Sequence, residues 1–289
     1  MHWQTTRFQI DLSRPRVMGI VNVTPDSFSD GGQHASARAA IAHCERLVDQ
    51  GADIVDIGGE SSRPGAISLS VEDEWARIAP VLAAALSLGV PVSIDTCKPG
   101  VMARALDVGA DIINDIQALQ AEGALQAIQA HPKAGVCLMH MRGSSATMAG
   151  LTAYADLLGE VGAFLADRAA VLRAAGVSAE RIVLDPGYGF AKTTAQNFDL
   201  LARQCELLAL GYPLLIGWSR KRAIGDVTGR AVEQRLAGSL AAALAAVAQG
   251  ARIVRVHDVA ATVDALKVWL AASVTMNRNS TTTTTGGAG

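Results

Sequence analysis

The chain has 289 residues, half of them hydrophobic but only 4% aromatic, and a formal net charge of −2 at pH 7. That length allows one large α/β domain or two ordinary ones, with an aliphatic core of Ala, Val, Leu and Ile. The charge excludes the broad basic surface of a nucleic-acid or anionic-membrane binder, so any anionic ligand must be held by a local cluster.

Met1–Leu12 reads as a strand or hairpin that closes the bottom of the fold. Short β-branched runs then alternate with helical patterns. Strand Val17–Val23 precedes helix Ala37–Gln50; strand Asp53–Ile57, helix Val71–Leu88; strand Val90–Ile94, helix Gly100–Val108; strand Asp111–Ile116, helix Ala124–Ala130. The second half continues with strand Gly135–Met139 and helix Tyr154–Ala175, then strand Ile182–Leu184 and helix Ala195–Leu210. Strand Pro213–Ile216 comes before helix Glu233–Gln249, and strand Arg252–Val256 before a helix of about Ala260–Ala272. Gly51, Gly89, Gly109, Gly176, Gly211 and Gly250 each stand where a helix end calls for a left-handed residue. Eight βα units in this length predict a single α/β domain, a (β/α)8 TIM barrel over residues 1–276, rather than a doubly wound sheet. The threonine run and Gly-Gly-Ala-Gly of Asn277–Gly289 are low-complexity and are expected to be disordered.

Cys44, Cys97, Cys137 and Cys205 form no CxxC pair, which points to reduced thiols in a cytoplasmic protein. No signal-peptide pattern opens the chain, and the most apolar helix, Leu236–Val247, is shorter than the roughly 20 residues that span a bilayer.

Barrel active sites form at the C-terminal ends of the strands, and the polar residues fall there. The ends carry Asn22, then Gly58–Ala66 (GGESSRPGA), Asp95-Thr96-Cys97-Lys98, Asn114-Asp115, His140-Met141-Arg142, Asp185-Pro186-Gly187, Ser219-Arg220-Lys221-Arg222, and finally His257-Asp258. Asp95, Asn114 and Asp185 could cap the helices that come after them. On three different strands behind apolar runs, they are better read as an acceptor-rich floor for an amino-substituted heterocycle.

Strand IVRVHD (Ile253–Asp258) puts Ile253, Arg255 and His257 on one face, so a cation and an imidazole face either solvent or an anion. Because the first, second and eighth strands adjoin in a closed barrel, Arg63, Arg255 and His257 converge on a diphosphate-sized anion site. Asn22 offers a neutral oxygen suited to Mg2+. Lys221 is either a desolvated Schiff-base nucleophile or a charged bridge between substrates. His140 can equally be a packed, hydrogen-bonded histidine, and Cys97 reads as structural.

In this order the segments MGIVNVTPDSFSDGG (Met18–Gly32), DIGGESSRPGA (Asp56–Ala66), SIDTCKPGV (Ser93–Val101), GADIINDI (Gly109–Ile116), LMHMRG (Leu138–Gly143), LDPGYGFAKT (Leu184–Thr193), LLIGWSRK (Leu214–Lys221) and RIVRVHD (Arg252–Asp258) resemble the dihydropteroate synthase family. The resemblance implies a cytoplasmic, homodimeric transferase of folate biosynthesis and a sulfonamide target, joining pterin diphosphate to para-aminobenzoate with Mg2+. It implies that Asp95, Asn114, Asp185 and Lys221 hold the pterin, with Met139 on its ring. Asn22, Ser62, Arg63, Arg255 and His257 would take the diphosphate and metal, with Arg63, Lys221, Arg255 and His257 as the catalytic set. Phe28, Ser62, Pro64, Phe190, Lys221 and Arg222 would meet para-aminobenzoate, and Asp30 would take part in closure of the mobile first and second loops. Against the family pattern, Ser62 stands for Thr, Cys97 for Ser and Ala191 for Gly; Arg222 stands where members differ, and Gln117 has no assigned role.

Three alternatives remain. A pterin-binding methyltransferase domain shares the floor but has no need of the Arg63, Lys221, Arg255 and His257 cluster. A Schiff-base aldolase predicts borohydride trapping at Lys221. A catalytically silent pterin-binding paralogue would have lost part of this set.

Overall fold

A computed structural model describes residues 1–23, 32–61 and 68–282. Phe28, Asp30, Ser62, Arg63 and Pro64 lie outside the described residues, as do 283–289. The chain opens with antiparallel strands β1 (His2–Gln4) and β2 (Gln9–Asp11). A (β/α)8 barrel comes next: β3 (Arg16–Asn22), α1 (Gly32–Asp49), β4 (Ile54–Gly58), α2 (Val71–Ala85), β5 (Val92–Asp95), α3 (Pro99–Val108), β6 (Ile112–Asp115), α4 (Ala124–Gln129) and β7 (Gly135–Met139). It continues through α5 (Leu157–Ala174), β8 (Ile182–Asp185), α6 (Thr194–Ala202), β9 (Leu215–Ile216), α7 (Arg222–Thr228), α8 (Leu236–Ala248), β10 (Ile253–Val256) and α9 (Val259–Thr282).

The sheet order is β8-β7-β6-β5-β4-β3-β10-β9, and every pair is parallel. Leu184 on β8 donates its N–H to the Pro213 carbonyl at 3.0 Å and bridges to Leu214, which brings the two ends of that order together. As expected from the sequence, β3 lies between β4 and β10.

Strand alternation divides the apolar residues into two cores. Val55, Ile57, Ile94, Ile113, Leu138, Leu184, Ile216 and Val254 face outward and pack in the buried layer beneath the helices. Met18, Ile54, Ile112, Cys137, Val183, Leu215 and Ile253 face inward and fill the lower lumen. The N-terminal hairpin closes that end, as the sequence suggested: Trp3, Ile10 and Leu12 join the inner cluster, and Trp3 Nε1 donates to the Arg181 carbonyl at 2.9 Å. Trp3 is fully buried. Trp3→Ala is therefore expected to lower stability by about 3–5 kcal/mol, read as a fall in the urea midpoint. An unchanged midpoint would show that the hairpin is not part of the barrel core.

The six helix-ending glycines all have positive φ, from 75° to 114°. Some boundaries differ from the sequence reading. The Ala195–Leu210 pattern splits into α6 and a 3-10 turn over Gln204–Leu210, and α9 runs beyond Ala272 to Thr282. Helix α7 was not anticipated. Its sequence RAIGDVT holds a glycine and three β-branched residues, a poor helical composition.

Candidate active site

The upper lumen is polar because, on several strands, the inward position one pleat above the apolar plug carries a charged or amide side chain, while Ile20, Met139 and Gly217 hold the equivalent place on three others. Asp56 lies two residues after Ile54, Asn114 after Ile112, Asp185 after Val183 and Arg255 after Ile253; Asp95 follows Ser93 on the same face. Arg255 organises this layer. Its Nε donates to Asp56 Oδ2 at 2.5 Å and its Nη2 to Asp95 Oδ2 at 2.6 Å. The Asn114 amide also donates to Asp56 Oδ2, at 3.2 Å. Asp56 Oδ1 is buried and accepts no hydrogen bond among the described residues, so one acceptor remains for a ligand N–H.

The Asp56 and Asp95 contacts answer the question posed by IVRVHD. Ile253 fills the lower lumen as expected, but the negative charge facing Arg255 comes first from within the fold. Burial opposes the guanidinium charge, yet Asp56 and Asp95 outweigh it and hold its pKa above the ordinary value. Burial also raises the Asp95 carboxyl to about 7; Arg255 works against that shift, and Asp56, Glu74 and Asp115 add to it.

Asp185 faces the same space. Burial raises its pKa, while Lys221 and the Gly187 N–H, 2.7 Å from Oδ1, pull it back. Lys221 occupies the N-cap position of α7, donates its side chain to the Tyr188 carbonyl and has its Nζ 4.5 Å from the Phe190 ring centroid. Burial lowers its pKa to about 8 against the opposing pull of Asp185. Met139 packs with Met141, Met148 and Ala191, with Phe190 and Ile116 against them. This apolar patch beside a charged floor suits a flat ring. Ala191 occupies the left-handed region at φ 48°, at a cost of roughly 1–2 kcal/mol that a glycine would not incur.

Asn22 ends β3 and pairs in register with Gly58 on β4. His257, one residue beyond β10, has its Nδ1 2.9 Å from Ser219 Oγ, and its backbone N–H donates to the same hydroxyl at 3.2 Å. Arg222 stands apart from the cluster: its side chain is 91% exposed, with Asp226 3.6 Å away, one turn along α7. His140 is the packed histidine foreseen as one reading, buried on the outer face of its strand end. Cys97 has its pKa raised to about 12 by burial, which makes it a poor nucleophile and agrees with a structural role.

Sequence reasoning assigned no role to Asp56 or Ser219. Asp56 was legible by parity, since a carboxylate shares the inward face of an apolar strand with Ile54 and Gly58. Ser219 carried no such sign.

A profile of the family described as pterin binding enzyme matches residues 18–257. The dihydropteroate synthase of Neisseria meningitidis serogroup B is 52% identical over 280 residues, covering 95% of this chain and 98% of that protein. This chain belongs to the dihydropteroate synthase family of pterin-binding enzymes. A Xanthomonas albilineans dihydropteroate synthase solved with 4-aminobenzoic acid superposes at a TM-score of 0.87 with 51% identity, covering 92% of this chain and 95% of that one. A Burkholderia cenocepacia dihydropteroate synthase complexed with 7,8-dihydropteroate gives 0.88 at 44% identity, covering 96% and 98%. Dihydropteroate synthases thus share both the barrel and nearly the full length of this chain.

Proposed function

We infer that the chain condenses 6-hydroxymethyl-7,8-dihydropterin diphosphate with para-aminobenzoate, releasing 7,8-dihydropteroate and diphosphate. It is an alkyl-transferring enzyme of folate biosynthesis. The observation that carries this reading is the acceptor-rich lumen, with buried Asp56, Asn114 and Asp185 and half-buried Asp95, beside the half-buried cations Arg255 and Lys221. The amino group and ring N–H of a pterin donate to that floor, and the Met139 patch covers its face. The same cations also set this chain apart from a methyltransferase domain that only presents a folate.

The bond between the pterin methylene carbon and the diphosphate oxygen breaks, and its electron pair leaves with diphosphate. Arg255 and His257 receive that charge, with Ser62 and Arg63 of the second loop. The arylamine nitrogen then bonds to the methylene carbon and loses its extra proton. Phe190 and Lys221 orient para-aminobenzoate, with Phe28, Pro64 and Arg222 at the outer end and Asp30 in loop closure, which excludes competing water.

No group of three or more His, Cys, Asp or Glu side chains among the described residues could hold a metal. The Asn22 amide oxygen still fits Mg2+, an ion commonly bound through one or two protein oxygens plus substrate phosphates and water. When bound, that ion would neutralise charge on the departing diphosphate. A homodimer and a cytoplasmic location complete the proposal. The Ala-rich α8 offers a close-packing helix, and the four cysteines are free thiols.

Incubating the protein with both substrates and Mg2+ and separating dihydropteroate by chromatography tests the reading; folded protein that forms none would overturn it. Lys221 supplies a second check. Its charge, held below about pH 8, assists binding, so the KM for pterin diphosphate is expected to rise as pH passes 8. Lys221→Arg keeps its charge and should flatten that rise; persistence of the rise would assign it to another group.

A further inference from the structure

Lys192 takes no part in the condensation chemistry, yet it is one of the most committed side chains near the site. It is only 8% exposed. Its Nζ lies 2.9 Å from His140 Nδ1, 3.0 Å from the Gly187 carbonyl and 3.2 Å from the Phe190 carbonyl. An ammonium has three N–H donors, and here each has its own acceptor. One acceptor lies at the end of β7 and two lie in the segment after β8, so Lys192 ties two neighbouring strand ends together.

The tied segment is also gripped from its other side. Lys221 donates to the Tyr188 carbonyl, between the two carbonyls that Lys192 holds, and its Nζ lies over the Phe190 ring. The Gly187 N–H bonds Asp185, and the Gly189 N–H donates to Asn197 Oδ1 at 2.6 Å. Gly187 and Gly189 have φ of 71° and 80°. A Cβ at Gly187 would lie 1.9 Å from the His140 carbonyl oxygen, so the backbone runs tight against the β7 end. With two glycines in four residues, the segment 187–190 has little conformational preference of its own. Its shape comes from these hydrogen bonds.

We propose that Lys192 is a positioning residue for the arylamine subsite, fixing segment 187–190 so that the Phe190 ring and the Tyr188 carbonyl meet Lys221. Burial lowers the Lys192 pKa to about 7, against the pull of Asp185 and with Lys221 and Arg142 adding to the shift. Burial likewise lowers His140, to about 3, with Lys192 and Arg142 adding to it. A neutral imidazole is the state able to accept at Nδ1 from the ammonium.

The proposal rests on the reading of Phe190 as a para-aminobenzoate contact, and a double-mutant cycle separates the two. Lys192→Met keeps the bulk and removes all three donors. It is expected to raise the KM for para-aminobenzoate about tenfold while changing the KM for pterin diphosphate about threefold or less. Phe190→Ala should raise the para-aminobenzoate KM similarly, and the double variant should be no worse than the poorer single one. An unchanged para-aminobenzoate KM in Lys192→Met, or effects that multiply in the double variant, would overturn the proposal. An unchanged KM in Phe190→Ala, with wild-type turnover intact, would remove the underlying reading and the proposal with it. If Lys192→Met does not fold, Lys192→Gln, which retains two donors, should raise the same KM about threefold; a wild-type value would overturn the role.

Discussion

Arg255→Ala is expected to lower kcat/KM for pterin diphosphate by about a thousandfold, the scale seen when a preorganised charge-stabilising group is removed. The guanidinium has two roles that the substitution removes together. In the proposed reaction it receives the charge of the departing diphosphate, and in the fold it bridges two carboxylates of the upper lumen, with Asp56 at 2.5 Å and Asp95 at 2.6 Å. Deleting it should therefore also destabilise the fold, by an amount that depends on pH. The Asp95 carboxyl is already raised to about 7, against about 3.9 in an unfolded chain. Between those values the folded state binds more protons, so this group's contribution to stability falls as pH rises. Loss of Arg255 removes the main influence holding the Asp95 pKa down and extends that fall to higher pH. The variant's Tm deficit should be larger at pH 8 than at pH 6. An equal deficit at both would mean that the carboxylates do not depend on Arg255 for their charge.

Asp56→Ala should be the most destabilising substitution in the site, by roughly 3–5 kcal/mol, the range for removing one partner of a buried ion pair. Asp56 is fully buried and its Oδ2 accepts from both Arg255 and Asn114, so its loss leaves an amide unpaired and Arg255 with Asp95 alone. Asp56→Asn, which keeps an acceptor oxygen, should recover part of the stability in urea titrations. Equal losses in the two variants would show that packing rather than hydrogen bonding sets the cost. Both should bind pterin weakly, because Asp56 links Arg255 and Asn114, the proposed diphosphate and pterin contacts.

The barrel was readable because its rules are local. Period-two strands and amphipathic helices recur eight times, glycine marks six of the helix ends, and the polar residues gather at one end of the strands. The floor residues Asp95, Asn114 and Asp185 were visible for the same reason, each closing an apolar strand. Three features were not visible. Helix α7 has a composition that local propensity disfavours, so only its place between β9 and α8 makes it a helix. The partners of Arg255 lie 160 and 199 residues away in sequence, and no local pattern reports a pairing across the lumen. Lys192 comes after a glycine-bearing loop that supplies two of its acceptors, and the third, His140, lies 52 residues earlier, so the three converge only on folding. The face that IVRVHD turns inward was legible, whereas the carboxylates that meet it were not.

The most direct measurement is a rapid-quench time course of the folded protein with pterin diphosphate, para-aminobenzoate and Mg2+, tracking both products. The lumen cluster predicts one diphosphate released for each dihydropteroate formed, at the same rate, with both slowed about a thousandfold in Arg255→Ala. Diphosphate released without dihydropteroate, or neither product formed, would contradict it.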